Sequence, residues 1–171
     1  MNRVDGTERL WAPWRHQYVA APQQAATCLF CDAAVPGNAD SHYVITRRAH
    51  SLVMLNAFPY NVGHLLIAPY LHTSSLTELG DDALVEMMRL AREMNGVLEG
   101  VFHPHGVNVG MNVGAAAGAG IRDHIHLHVV PRWDGDTNFM YALSGTRVMS
   151  QSLEEAAALL RGAVSEPASG S

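Results

Sequence analysis

One short segment in the C-terminal third of the chain constrains the fold more than any other. Residues 124–132 have the order His-Ile-His-Leu-His-Val-Val-Pro-Arg, so histidine alternates with large apolar residues. In a β-strand, side chains two positions apart share a face and lie roughly 6–7 Å apart. A strand over residues 124–130 would therefore place His124, His126 and His128 in a row on one face. The opposite face would pack into the core through Ile125, Leu127 and Val129.

A row of three imidazoles is typical of a chemical site rather than of a hydrophobic core. A single histidine is often satisfied within a core, but three on one face supply nitrogen bases that packing does not require. Strand histidines two positions apart can share a zinc ion. Histidine is also a covalent nucleophile, and neighbouring imidazoles can donate hydrogen bonds to the oxygens that carry charge in phosphoryl transfer. The residues alone leave both interpretations open.

The rest of the chain predicts short strands and two helices without regular βαβ alternation. Apolar runs predict strands at residues 42–46, 51–55, 64–68 and 106–113, with Arg47 and Arg48 serving solubility at a hairpin tip and a flexible connection at 114–120. A helix that begins near Asp81 should end near residues 95–100, where two glycines occur. A capping box predicts a second helix over residues 153–163. We therefore expect an α+β fold built on an antiparallel sheet.

Composition limits the class of protein. The chain has 171 residues and a formal net charge of −5 at pH 7, which predicts one domain and no nucleic-acid partner, because phosphate-backbone binding needs a basic surface. No stretch approaches the ~18 apolar residues of a membrane span, so no membrane partner is expected. The N-terminal residues lack an apolar signal segment, which predicts a cytoplasmic location.

The two cysteines form a Cys-x-x-Cys pair at Cys28 and Cys31. This spacing is common among zinc ligands, but two ligands do not make a site. A redox pair or a chance pairing fits the spacing equally well. The pair alone therefore leaves its function open.

The histidine segment and its surroundings resemble the histidine triad (HIT) superfamily, whose signature is three histidines alternating with apolar residues. The resemblance extends to residues 56–69, Asn-Ala-Phe-Pro-Tyr-Asn-Val-Gly-His-Leu-Leu-Ile-Ala-Pro, and covers about residues 9–160. Residues 9–15, 104–112 and 131–139 are similar to a bacterial branch that includes diadenosine tetraphosphate phosphorylases. The resemblance implies a HIT-like fold, with a curved antiparallel sheet, one long helix and a C-terminal helix. It also implies a homodimer.

The resemblance implies a role for each matching residue. His126 would be the nucleophile that attacks the α-phosphorus and carries a covalent nucleotidyl group, and His128 would bind phosphate oxygens and assist the leaving group. The implied substrate-binding residues are Asn112 at a phosphate oxygen, Asn56 at the ribose, His64 near the nucleotide, and the backbone amides of Gly118 and Gly120 at phosphate. Many relatives carry a serine just before the triad, whereas residues 118–121 of this chain are Gly-Ala-Gly-Ile and offer no side-chain donor.

A structural zinc ion is also implied by the resemblance. Many relatives with this cysteine pair bind zinc through it, together with a histidine after a Pro-x-x-His strand end and the first triad histidine. The matching residues here are Cys28, Cys31, His72 and His124. The expected organisation is an N-terminal arm at residues 1–27, a single HIT domain at 28–164 and a disordered tail at 165–171.

The implied function is nucleotidyl transfer or hydrolysis on a nucleoside polyphosphate. The most specific expectation is phosphorolysis of diadenosine tetraphosphate, with inorganic phosphate as acceptor and ATP and ADP as products. The alternatives are a hydrolase, an AMP-phosphoramidase and a non-catalytic, zinc-stabilised nucleotide-binding module. A zinc-ribbon nucleic-acid binder is disfavoured by the net charge of −5 and the single Cys-x-x-Cys pair.

Overall fold

The computed structural model describes residues 27–38, 43–136 and 151–164. The expected tail and all but the last residue of the expected N-terminal arm lie outside these ranges. The elements along the chain are α1 (Leu29–Ala34), β1 (Val44–Arg47), β2 (Ser51–Leu55), β3 (Leu65–Pro69), α2 (Asp81–Phe102), β4 (Gly106–Met111), β5 (Leu127–Arg132) and α3 (Leu153–Ala163), with 3₁₀ turns at Leu76–Glu78 and Ala115–Ala117. No helix in this part of the chain combines the length and apolar character that crossing a bilayer requires.

The strands form one five-stranded antiparallel sheet in the order β1-β2-β3-β5-β4. Together with the long helix α2 and the C-terminal helix α3, this sheet confirms the expected fold class. The histidine strand β5 lies between β3 and β4, where His128 is paired with Leu66 on one side and Gly110 on the other. Because paired residues point to the same face, this register fixes which side chains surround His128.

Two layers of apolar side chains cover the sheet. The larger core lies between one face and the helices α2 and α3, and its fully buried residues include Leu55, Ile67, Met94, Val129 and Leu160. A smaller cluster covers part of the other face, where Phe30 and Ala33 of α1 pack on Val44, Leu52, Met54, Leu66 and Ala68. His128 shares this second face with Leu66, so the histidines lie beside the smaller cluster.

The sidedness of the histidine segment is confirmed, but its strand begins three residues later than predicted. Ile125, Leu127 and Val129 all enter the larger core. His124 and His126 precede β5, because the Ile125 amide donates to the carbonyl oxygen of Thr73 at 2.7 Å instead of to a neighbouring strand. The ends of β3 and β4 also differ from prediction by one or two residues.

The helix α2 is longer than its glycines suggested. It continues through Gly96 and Gly100 to Phe102, and His103 ends it in the left-handed conformation, with φ 50° and ψ 52°. A glycine inside a helix costs only ~1 kcal/mol. Leu98 is fully buried and Phe102 packs against the core, so tertiary packing outweighs that cost.

The hairpin and α3 are tied to the rest of the fold by polar contacts. The prediction that Arg47 and Arg48 serve solubility is wrong, because Arg47 donates to the carbonyl oxygen of Ala33 at 2.6 Å and Arg48 pairs with Glu93 of α2 at 2.8 Å. The predicted capping box is confirmed, since Ser152 and Glu155 each accept the other's backbone N–H at 3.1 Å.

Candidate functional site

Two cysteines and two distant histidines converge at the start of α1. Cys28 immediately precedes α1 and Cys31 lies within it, whereas His72 follows β3 and His124 precedes β5. The Sγ of Cys28 lies 3.3 Å from Nδ1 of His124, and the Sγ of Cys31 lies 3.3 Å from Nδ1 of His72. The Cys31 Sγ is also 3.7 Å from Nδ1 of His124, and the two Nδ1 atoms are 3.2 Å apart. The structure thus brings together all four residues that were expected to bind metal.

The spacing of these atoms fits a four-coordinate metal ion. With Zn–S bonds of ~2.3 Å and Zn–N bonds of ~2.0–2.1 Å, neighbouring ligand atoms of a tetrahedral site lie about 3.3–3.8 Å apart. Four of the six separations run from 3.2 to 3.7 Å, and all four donor atoms lie within 4.8 Å of one another. Two thiols and two imidazoles also form a donor set that zinc favours in closed, structural sites.

His124 connects this cluster to the histidine segment. Its ring is buried, and Nε2 donates to the carbonyl oxygen of Pro69 at 2.8 Å, which leaves Nδ1 facing the cysteines. A second hydrogen bond of this kind orients a metal-binding imidazole. Burial lowers the pKa of His124, and the neighbouring His72 and His126 act in the same direction.

His126 is held with one ring nitrogen bonded to the backbone. Its Nδ1 lies 2.9 Å from the carbonyl oxygen of His124, and because a carbonyl only accepts, Nδ1 carries the proton. The neutral ring therefore has its lone pair on Nε2. Burial lowers the pKa of His126, while the bond to His124 acts in the opposite direction. An imidazole with a lone pair on Nε2 has the form that a nucleophile requires.

His64 and His128 form a second pair with fixed proton positions. The Nε2 of His64 lies 3.0 Å from the Nδ1 of His128. The backbone amide of Tyr60 can only donate, and it lies 3.1 Å from the Nδ1 of His64, so that nitrogen accepts and Nε2 carries the proton. His64 therefore donates to His128, and a neutral His128 holds its own proton on Nε2. The ring centroids of His126 and His128 lie 4.8 Å apart, so a ring with a basic nitrogen neighbours a ring that carries an N–H.

His64 is fully buried. The ring of Tyr60 stacks on it with centroids 4.8 Å apart, and the Nδ2 of Asn56 is 3.3 Å from its Nδ1. The contact between His64 and His128 was missed from the sequence, because it depends on the register of β3 against β5. The expected contacts of Asn56 with ribose and of His64 with the nucleotide stay predictions.

The edge strand β4 and the loop after it contribute the other expected phosphate ligands. Met111, the last residue of β4, pairs with Leu127, the first residue of β5, so Asn112 and His126 each lie one residue beyond the end of this pairing. In the loop, Gly118 has a positive φ of 87°, and its amide donates to the carbonyl oxygen of Ala115 at 3.0 Å. A phosphate oxygen at Gly118 would have to replace that bond. The phosphate contacts expected for Asn112, Gly118 and Gly120 stay predictions.

A polar cluster at the end of β5 was not predicted. Asp136 accepts from Arg132 Nε at 2.6 Å and Nη2 at 3.1 Å, and from Asn61 Nδ2 at 2.8 Å. These bonds, with that of Arg132 the strongest, hold the pKa of the Asp136 carboxyl well below its usual range. The cluster fastens the turn at residues 58–63, which leads into His64, to the end of β5. No local sequence signal pairs Asn61 with a carboxylate 75 positions away.

Comparisons with known proteins agree with this arrangement. The HIT domain family model matches residues 37–135. The chain is 36% identical over 163 residues to the AP-4-A phosphorylase of Mycobacterium tuberculosis. This alignment covers 91% of the chain and 84% of the relative. It is 34% identical over 119 residues to a 16.1 kDa HIT-like protein of Mycoplasma pneumoniae, which covers 70% of this chain and 81% of the relative.

A solved structure of a histidine triad protein has a similar fold. The crystal structure of a Zn-bound histidine triad family protein from Mycobacterium smegmatis superposes with a TM-score of 0.64 at 31% identity. The match covers 81% of this chain and 93% of that one. From the family match, the sequence identity and the shared fold, the chain belongs to the HIT domain family.

Proposed function

We propose that this protein cleaves diadenosine tetraphosphate through a covalent nucleotidyl-histidine and transfers AMP to inorganic phosphate. The observation that carries the proposal is the arrangement of protons at two neighbouring rings. His126 has its lone pair on Nε2, whereas His128 has its proton on Nε2. The AP-4-A phosphorylase relative, 36% identical over 91% of this chain, supports the choice of substrate.

In the first step, the Nε2 of His126 attacks the α-phosphorus and a P–N bond forms. The bond from that phosphorus to the bridging oxygen breaks, and its electron pair leaves with ATP. His128 donates a hydrogen bond from Nε2 to the departing oxygen, and complete proton transfer is unnecessary because a terminal phosphate oxygen is largely ionised near pH 7. His126 becomes cationic while it carries AMP, and the carbonyl oxygen of His124 stabilises this charge through Nδ1.

In the second step, an oxygen of inorganic phosphate attacks the same phosphorus. The P–N bond breaks, its electron pair returns to the Nε2 of His126, and ADP is released. Attack by water instead would give AMP and one proton, which is the hydrolase alternative. An amine-linked AMP would require His128 to protonate a nitrogen leaving group, which is a larger demand than stabilising a phosphate oxygen.

The remaining residues bind and orient the substrate in this proposal. Asn112 donates to a phosphate oxygen, Asn56 contacts the ribose, and the amides of Gly118 and Gly120 bind the other phosphates. At Gly118 the phosphate oxygen replaces the bond from that amide to Ala115. Zinc bound by Cys28, Cys31, His72 and His124 would supply a structural cross-link between α1 and the histidine segment. This cross-link supplies no chemistry at phosphorus.

The proposal includes a cytoplasmic location and a homodimer. The outward face of α2 supports the homodimer, since Val85 and Met88 are 47% and 57% exposed there beside Arg89 and Arg92. Apolar side chains exposed on one helix face often mark a protein interface. Sedimentation equilibrium should give twice the chain mass, and Met88→Glu should shift the distribution to monomer. A wild-type monomer at micromolar concentration would contradict the dimer.

The test of the activity is product analysis with and without inorganic phosphate. Diadenosine tetraphosphate labelled at the α-phosphorus should give ATP and ADP only when phosphate is present. ATP and AMP regardless of phosphate would identify a hydrolase. The absence of products would refute cleavage of this substrate, and amine-linked AMP would then separate a phosphoramidase from a non-catalytic binding module.

The test of the nucleophile uses two histidine variants. His126→Ala should abolish both turnover and the acid-labile, alkali-stable labelling of the protein that a P–N bond gives, while nucleotide binding is retained. His50→Ala changes an exposed histidine at the hairpin tip and should behave as wild type. Turnover in His126→Ala would rule out the covalent mechanism.

A further inference from the structure

The ring of Phe30 contacts two of the three triad histidines. It is 1% exposed, and its centroid lies 5.0 Å from that of His124 and 4.9 Å from that of His126. Along the chain, Phe30 lies between Cys28 and Cys31. These residues supply the two thiols of the candidate metal site of Cys28, Cys31, His72 and His124, which we call the metal cluster. One apolar ring therefore connects the cysteine pair with His126.

The helix that carries Phe30 is held in place from outside. α1 has six residues and no side-chain hydrogen bond at its N-cap, and isolated helices shorter than ~12–15 residues are marginal in water. The cluster of Cys28 and Cys31 anchors its beginning, and Arg47 donates to the carbonyl oxygen of Ala33 near its end. The position of the Phe30 ring therefore depends on these anchors.

His126 is joined to the metal cluster by two routes. The first is the backbone, because the carbonyl of the metal ligand His124 accepts the Nδ1–H of His126. That single bond leaves the imidazole free to swing about the bond direction. The second route is the Phe30 ring, tilted by 39° to the imidazole of His126 and packed against it. Contact on the ring removes the remaining freedom, because closely packed interiors leave little room for rotation.

We propose that Phe30 is a positioning residue that couples the metal cluster to His126. It acts through His126 and requires no contact with substrate, and its kinetic effect rests on the proposed nucleophilic role of that histidine. Phe30→Leu retains apolar volume but removes the flat ring. Since a misplacement of about 1 Å can cost ~100-fold in rate, we expect kcat to fall roughly 10- to 100-fold while KM changes less than about threefold.

The experiment combines kinetics with NMR of ring-¹⁵N-labelled histidine at one fixed pH near neutrality. In the wild type, His126 should show one tautomer, with a protonated Nδ1 and an unprotonated Nε2. Phe30→Leu should retain its metal by elemental analysis but show an averaged His126 signal. Removal of metal from the wild type by a chelator should change that signal in the same direction.

Leu52→Ala is the matched control. Leu52 belongs to the same apolar cluster as Phe30 but lies on β2, which β3 separates from the histidine strand. This variant should lose stability while it keeps kcat and the His126 tautomer.

Three results would overturn the inference. The first is an unchanged His126 signal and an unchanged kcat in Phe30→Leu. The second is a His126 signal that stays the same when a chelator removes the metal from a chain that remains folded. The third is a change of kcat and of the His126 signal in Leu52→Ala that equals the change in Phe30→Leu. If chelation unfolds the chain, as circular dichroism would show, the His126 signal and kcat of the metal-loaded Phe30→Leu variant test the inference instead. Failure of the proposed function would look different, because the wild type would then not form ATP and ADP from diadenosine tetraphosphate and inorganic phosphate. The NMR comparison needs no substrate and would still test the coupling.

Discussion

Replacing Gly63 with alanine should destabilise the protein through two separable effects. Gly63 has a positive φ of 77°, and a Cβ there would lie 2.8 Å and 2.9 Å from two ring atoms of Phe102 and 3.0 Å from Cδ2 of Leu98. Left-handed backbone costs a non-glycine residue roughly 1–2 kcal/mol. Overpacking typically costs about 1–3 kcal/mol more. We therefore expect Gly63→Ala to lower the free energy of unfolding by about 2–5 kcal/mol.

The steric effect can be isolated with Gly135→Ala. Gly135 has a similar φ of 74°, but within the described ranges no atom beyond its chain neighbours lies within 4 Å of the position that its Cβ would take. This control should lose only the backbone contribution of roughly 1–2 kcal/mol. Urea unfolding of both variants, analysed with a common m-value, gives the difference directly. Thermal unfolding should show the same order, at about 2–4 °C per kcal/mol.

Equal losses in the two variants would refute the reasoning. That result would mean that the Phe102 ring moves aside at no cost, so the close approach at Gly63 contributes nothing. A second check is the double variant Gly63→Ala/Phe102→Leu. Its loss should be smaller than the combined losses of the single variants by about 1 kcal/mol or more.

Three further predictions concern the metal cluster, the end of β5 and α3. Cys28→Ser should lower the metal content by elemental analysis well below about one ion per chain, and it should lower Tm. An unchanged metal content would contradict the proposed metal site. Asp136 has a depressed pKa, so its contribution is present above its unfolded pKa of about 3.9 and is lost as the pH falls further. Asp136→Asn should therefore lose about 1 kcal/mol at pH 7 and less at pH 3 by urea unfolding, whereas equal losses at both would contradict this. Ser152→Ala should lower the free energy of unfolding in urea by about 1 kcal/mol, because it removes the cap of α3. A loss near zero would argue that the cap does not stabilise the protein.

Patterns along the chain predicted which side chains face the core but not where the elements end. Alternation at residues 124–130 identified Ile125, Leu127 and Val129 as core residues. The alternation could not indicate that the amide of Ile125 bonds to the carbonyl oxygen of Thr73, so that β5 begins only at Leu127. The end of α2 was misjudged for a similar reason, because burial of Leu98 is a tertiary effect that outweighs glycine propensity.

The parts of the candidate site that were missed all depend on long-range pairing. Helix α1 is too short to show an amphipathic period, and its anchors come from Arg47 and from distant histidines. The bond between His64 and His128 joins residues 64 positions apart and depends on the register of β3 against β5. Family resemblance supplied the identities of the residues, whereas the positions of protons on the rings required three-dimensional contacts.

The metal cluster joins residues that the ribosome makes at different times. Cys28 and His124 are 96 positions apart, so at ~5–20 residues per second the histidine is added about 5–20 s after the cysteine. During that interval the nascent thiols have at most one of their two imidazole partners, and a four-coordinate site cannot close. A chain terminated before residue 124 would never complete it. Binding of a metal ion by all four residues would therefore report that translation has passed the histidine segment.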